Sequence, residues 1–208
     1  MPPPAAGPAP DQAPPRPRRA DAQRNYDRLL ATAREVFAEH GADAPLDDIA
    51  RRAGIGNATM YRHFPTRREL IIAVYADEVT ELCARGEALL AHEAPGEALL
   101  TWLRAFIAHV ATKRELAQAI PNDRGGQRSA LFDGWHDAMR ATASRLLARA
   151  QRRGAARAGL DPADLLTLAN GIALTSADAD QAGRCLDLLR DGIAPLPAGH
   201  RARIAEPG

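Results

Sequence analysis

The residues with the most chemistry to offer lie in one short stretch, Leu46 to Leu70, which reads LDDIARRAGIGNATMYRHFPTRREL. Asn57 carries a donor and an acceptor on one amide, and Arg62 carries a planar fork of donors; each can make bidentate contacts to base edges. Thr59, Tyr61 and His63 end in polar tips that reach phosphate oxygens. Between Arg51 and Arg68 there are five arginines and no acid. Across residues 16–70 eleven arginines stand against eight acids, a net +3, whereas residues 71–208 hold sixteen basic and seventeen acidic residues, a net −1. The whole-chain charge of +1 therefore hides a basic N-terminal module on a near-neutral body. Such asymmetry is the electrostatic footprint of a nucleic-acid partner. Taken singly, Arg51, Arg52, Arg67 and Arg68 read equally as an ordinary solvated face.

These side chains need a frame, and the local sequence supplies one. A short helix follows Pro45 with Leu46, Ile49 and Ala50; Gly54 breaks it, and a second short helix runs from about Asn57 to His63, closed by Pro65. Two short helices joined by a glycine-containing turn form a helix-turn-helix. Ala50 is small enough for the two helices to cross closely, Gly54 can take the positive φ of a sharp helix exit, and Ile55 plugs the junction. A preceding helix from Asp21 to His40 carries Leu29, Ala33, Val36 and Phe37 on one face, with Gly41 as its stop. Thr66 and Glu69 form a capping box that opens a long helix through Leu70, Val74 and Leu82.

The composition agrees. Of 208 residues 45 are Ala and only 4% are aromatic, which favours helices and disfavours strands. The pattern predicts an all-α protein. The expected divisions are a Pro- and Arg-rich arm over 1–19, a helix-turn-helix domain over 20–66, a larger helical body over 67–194 and a flexible tail over 195–208. The arm holds Arg16, Arg18 and Arg19; it reads either as a DNA-touching segment or as a solubilising tail.

The string Gly54-Ile55, then Thr59-Met60-Tyr61-Arg62-His63-Phe64-Pro65, then Arg67 with Glu69-Leu70, resembles the signature of TetR-family transcriptional regulators. The Phe37-Ala38-Glu39-His40-Gly41 ending of the preceding helix resembles the same family. The likeness covers roughly residues 20–75. It implies a three-helix DNA-binding head on a helical body, a homodimer and a switch worked by a small-molecule effector. It implies that Asn57, Ala58 and Arg62 face bases, that Thr59, Tyr61, His63 and Arg67 hold phosphates, and that Ile55 and Phe64 are core. The chain departs from the family pattern in three places. Gly56 replaces the usual Ser or Thr before the recognition helix, which weakens its N-cap. Arg67 stands where Lys is commoner, and Met60 replaces a branched aliphatic.

In the body, Trp102, Phe106 and His109 share one helix stripe, and Trp135 and Met139 lie on another. They read as the lining of an apolar ligand pocket with one polar handle, or as plain core. Leu165, Ala169, Ile172, Leu186 and Leu189 read as a dimer face on the last two helices, forming a four-helix bundle across a two-fold axis; the alternative is packing within one subunit.

Other classes find no support. There is no Gly-x-Ser-x-Gly, His-Glu-x-x-His or phosphate loop, so the chain is not expected to be an enzyme. The six histidines show no metal spacing, Cys83 and Cys185 stand far apart, and no cofactor or metal is expected. No apolar run is long enough for a membrane span, and the Pro-rich N-terminus lacks a signal-peptide core, so the expected location is cytoplasmic. The functional expectation is a sequence-specific regulator. Its simplest form is a repressor released from a palindromic double-stranded operator by an effector. An activator of the same family, or a helical protein-interaction adaptor, is the alternative.

Overall fold

The computed structural model describes residues 18–119 and 127–195. Among these residues there are eight helices and no strand: α1 (Arg18–His40), α2 (Leu46–Arg52), α3 (Asn57–His63), α4 (Arg67–Leu89), α5 (Pro95–Ala119), α6 (Gln127–Arg152), α7 (Pro162–Thr175) and α8 (Ala179–Ile193). The fold class is the all-α one expected. Residues 1–17, most of the predicted arm, and 196–208, nearly all of the predicted tail, lie outside the described residues, as does most of the polar loop read between Pro121 and Gln127. Helix α1 begins three residues before the expected Asp21, so Arg18 and Arg19 belong to its first turn. Nothing in Arg18–Ala20 breaks a helix, and Arg24 pairs with Asp21 one turn on.

The local punctuation follows from side-chain chemistry. Gly41 and Gly54 take φ of 78° and 63°, left-handed values that Cβ-bearing residues rarely adopt. Thr66 accepts from the Glu69 N–H while Glu69 accepts from the Thr66 N–H, a complete capping box on α4. Asp161 caps α7, with Pro162 at its first position.

Two cores divide the molecule. The head core joins α1, α2, α3 and the start of α4 around Leu29, Ile49, Met60 and Leu70, all fully buried. The body core runs from α4 through α8 around Trp102, Leu103, Leu146 and Leu186. Helix α4 belongs to both. Leu70, Ile71 and Val74 complete the head, and Tyr75, Val79 and Leu82 open the body. The head core thus crosses the boundary expected at Thr66, because a two-helix motif and α1 need the first two turns of α4 as a floor. Phe132 and Trp135 of α6 pack against both cores and seal the seam. Farther along, α4 comes close to α5 and α6 at Gly86. A Cβ there would lie 2.2 Å from Thr142 Cγ2 and 3.0 Å from Trp102 Nε1. Trp102 Nε1 donates to the Leu82 carbonyl at 3.0 Å, which fixes the indole against α4.

Candidate nucleic-acid interface

Helix α3 buries only Met60 in full and turns Asn57, Ala58, Tyr61 and Arg62 to solvent. Asn57 with Tyr61, and Ala58 with Arg62, are four apart and stack along one helix face. Thr59 is half-buried beside them. Gly56 precedes the helix in extended conformation and offers no side-chain cap.

The five arginines of the stretch are held differently. Arg51 pairs with Asp48 at 2.6 Å. Arg52 pairs with Glu39 at 2.6 Å and approaches His40 Nε2 at 3.0 Å; the Arg52 hydrogen bond and charge hold the Glu39 carboxyl below its usual range. Arg67 turns inward, and its Nη1 donates to the carbonyls of Ala42, at 2.8 Å, and Ala44, tying the α1–α2 loop to the start of α4. Arg68 is also engaged. Arg62 alone of the five has no partner among the described residues.

Besides Arg67, two more of the expected phosphate contacts are engaged within the chain. Tyr61 Oη donates to Asp47 Oδ1 at 3.2 Å, and this bond pushes the phenol above its usual range. The His63 ring packs edge-on to Tyr26 of α1, centroids 6.0 Å apart, with Nε2 buried and no hydrogen-bond partner among the described residues. Thus Arg67 and His63 brace the head from behind, while Asn57, Ala58, Tyr61 and Arg62 form its outer face. Sequence reasoning missed a further brace. Arg34 of α1 reaches α4, pairing with Asp77, with Glu81 at 3.0 Å and with the buried Glu78 at 3.5 Å. The one sequence signal was the acidic stripe 77, 78 and 81 on α4, which shows only a face and not its partner.

The five expected pocket residues are brought near one another but pack as core. Trp102 and Phe106 stack at 5.6 Å and Met139 is buried. His109 lies edge-on to Tyr75 at 5.3 Å, and Trp135 meets Tyr75 at 4.6 Å. Burial, with the Glu78 charge, raises the Tyr75 phenol. Of the expected dimer face, Leu165, Ala169 and Leu186 are buried within the chain's own body and have no area left for a partner, and Ile172 and Leu189 are half-buried. The same helices expose Leu168, Leu174 and Leu188 instead, at 55%, 42% and 73%. Periodicity had marked the apolar stripe; it does not say which side the chain itself fills. Among the described residues no group of His, Cys, Asp and Glu is arranged to hold a metal ion, and no helix is long and apolar enough to cross a membrane.

A basic, exposed second helix on a three-helix head, fixed to a larger helical body, defines a helix-turn-helix DNA-binding regulator. Comparison with known proteins places it more narrowly. The head matches the family model described as bacterial regulatory proteins, tetR family, over residues 29–74. The body matches the SbtR-like transcriptional regulator C-terminal domain over residues 94–195. The TetR transcriptional regulator SCO0520 from Streptomyces coelicolor is 38% identical, with a TM-score of 0.70, covering 81% of this chain and 98% of that one. The TetR transcription regulatory protein from Mycobacterium vanbaalenii is 37% identical, with a TM-score of 0.71, covering 86% and 100%. The regulator SrpR of Pseudomonas putida is 41% identical over 58 residues, 27% of each chain, so the match spans about a quarter of that relative's length. The chain belongs to the TetR family: it is a transcriptional regulator with a DNA-binding helix-turn-helix, not an enzyme.

Proposed function

We propose that the protein is a cytoplasmic homodimeric repressor that leaves a palindromic operator when an effector binds its body. Each head sets α3 in a major groove, and the two-fold axis gives half-sites about one helical turn (roughly 34–36 Å) apart or slightly more. The observation that carries this reading is the isolation of Arg62. Arg51, Arg52 and Arg67 are spent on carboxylates and carbonyls, while Arg62 has no partner among the described residues and lies on the exposed face with Asn57, Ala58 and Tyr61. An unpaired guanidinium has no internal partner to lose when it meets a base, so its contact with guanine is not offset by a broken ion pair. Thr59 and the Tyr61 hydroxyl take phosphates. The dimer forms through α7 and α8, with exposed Leu168 and Leu188 joining Ile172 and Leu189.

The effector acts through the aromatic layer of Tyr75, His109 and Trp135 where α4, α5 and α6 meet, braced by Trp102, Phe106 and Met139. A shift of this layer tilts α4 and changes the spacing of the two heads. Such a switch requires different effector affinities in the two states.

Selection of binding sites from random duplex DNA with the purified protein, at a stated salt concentration, tests the reading. An enriched palindrome is expected. Arg62→Ala should then cost about 1–3 kcal/mol and relax preference at one base pair of each half-site. Retention of full preference by that variant would remove Arg62 from the reading face.

A further inference from the structure

A groove of about 610 Å³ opens between α5 and the α7–α8 hairpin, away from the aromatic layer. Its floor is Ile107, Ala173 and Leu186, all buried. Its walls are small: Ala108 and Ala111 on α5 face Ala182 and Gly183 on α8, and short side chains where helices diverge leave the space unfilled. Its rim is polar, with Arg104 and Thr112 on one side and Ser176 and Asp178 on the other. The volume falls in the range of small-molecule sites, and an apolar floor under a few polar rim groups is their usual character.

The charges on the rim are not equivalent. Asp178 is already spent: its carboxylate caps α8 by accepting from the Gln181 N–H at 2.7 Å, where the helix dipole also favours it. Arg104 is exposed and has no partner among the described residues. Among the described residues the groove therefore presents one unpaired cation, Arg104, over an apolar bed, with the capping carboxylate of Asp178 on the other side of the rim. We propose that this groove is a binding site for a monoanionic amphiphile, an aliphatic carboxylate whose head meets Arg104 and whose chain lies on Ile107, Ala173 and Leu186. Helix α5 carries this message by its geometry. Arg104, Ala108 and Ala111 line the groove, while Trp102, Phe106 and His109 on the opposite side of the same helix enter the core against α4 and α6. An occupant that pushes α5 away from α8 pushes the aromatic layer. This consequence rests on the ligand-responsive reading above; the binding itself does not.

Decanoate, decan-1-ol and decylamine titrated into the full-length protein by calorimetry test the site. Decanoate is expected to bind, and the alcohol and the amine about tenfold or more weakly, the worth of one hydrogen bond to a charged group. Arg104→Gln should weaken decanoate about tenfold, while Arg104→Lys should keep most of the affinity. Ala182→Phe, which fills the groove, should abolish binding; Ala108→Phe, at an exposed wall position, serves the same end if the first variant fails to fold. Undiminished binding to Arg104→Gln and to the filled variants would overturn the site. Equal affinity for decan-1-ol would overturn the anion, and no decanoate binding up to about 1 mM would overturn the ligand class. Sedimentation on the same samples gives the oligomeric state, and a filled variant that binds no decanoate but falls from dimer to monomer would assign the groove to the partner subunit instead. Operator affinity measured with and without decanoate separates the two readings. Binding in the groove without release from DNA leaves the site standing and removes the effector's role.

Discussion

Arg62, a guanidinium with no partner among the described residues, and Arg67, one that holds two backbone carbonyls, predict different behaviour, although both stand in the basic stretch. Arg67→Ala removes the donor to the Ala42 and Ala44 carbonyls. Loss of charged hydrogen bonds of this kind is expected to cost about 1–3 kcal/mol, seen as a lower melting temperature for the free protein. Were phosphate contact its whole role, melting would not change and the salt dependence of DNA binding would fall by about one unit of slope. A second residue-scale prediction concerns alkali. The Tyr75 phenol sits above its usual value of 10.0 because it is buried and faces the Glu78 charge. The folded state holds that proton more tightly than the unfolded state, so the contribution is complete at neutral pH and is lost as pH rises past 10. Tyr75→Phe should flatten the fall of melting temperature above pH 10, and an unchanged fall would place alkaline sensitivity elsewhere.

At the scale of the element, the local devices were legible and the long-range ones were not. Thr66, Asp161, Gly41 and Gly54 could be read because a cap or a helix exit involves residues within four positions of each other. The Arg34 clasp spans more than forty residues, and nothing in α1 names its partners on α4. The inward turn of Arg67 and the burial of Leu165, Ala169 and Leu186 were hidden for the same reason: a helical repeat marks stripes but not what lies across from them. Gly56 and Gly86 separate the two situations by mutation. Gly56 has extended backbone and open space around its Cβ position. Gly56→Ser should cap α3 and add a few tenths of a kcal/mol, roughly a degree in melting temperature. Gly86→Ala should do the reverse despite better helix propensity. The added methyl meets Thr142 Cγ2, in a buried side chain, and the indole held to Leu82. A loss of about 1–3 kcal/mol is expected, and Thr142→Ser, which removes that Cγ2, should restore part of it in the double variant.

At the scale of the molecule, the basic head and near-neutral body separate two tasks in charge as well as in space, with α4 common to both. That sharing has a practical side. A chimera that borrowed this head by cutting after Thr66 would carry the whole of α2 and α3 and every outward-facing residue, yet leave behind Leu70, Ile71 and Val74, the floor on which they rest. It would also leave behind the acids that grip Arg34. The transplantable unit ends near Glu81, about four turns into α4. A hybrid between regulators of this architecture therefore keeps its head core intact only when the crossover falls inside a continuous helix, and the donor of the head must also supply about the first two thirds of α4.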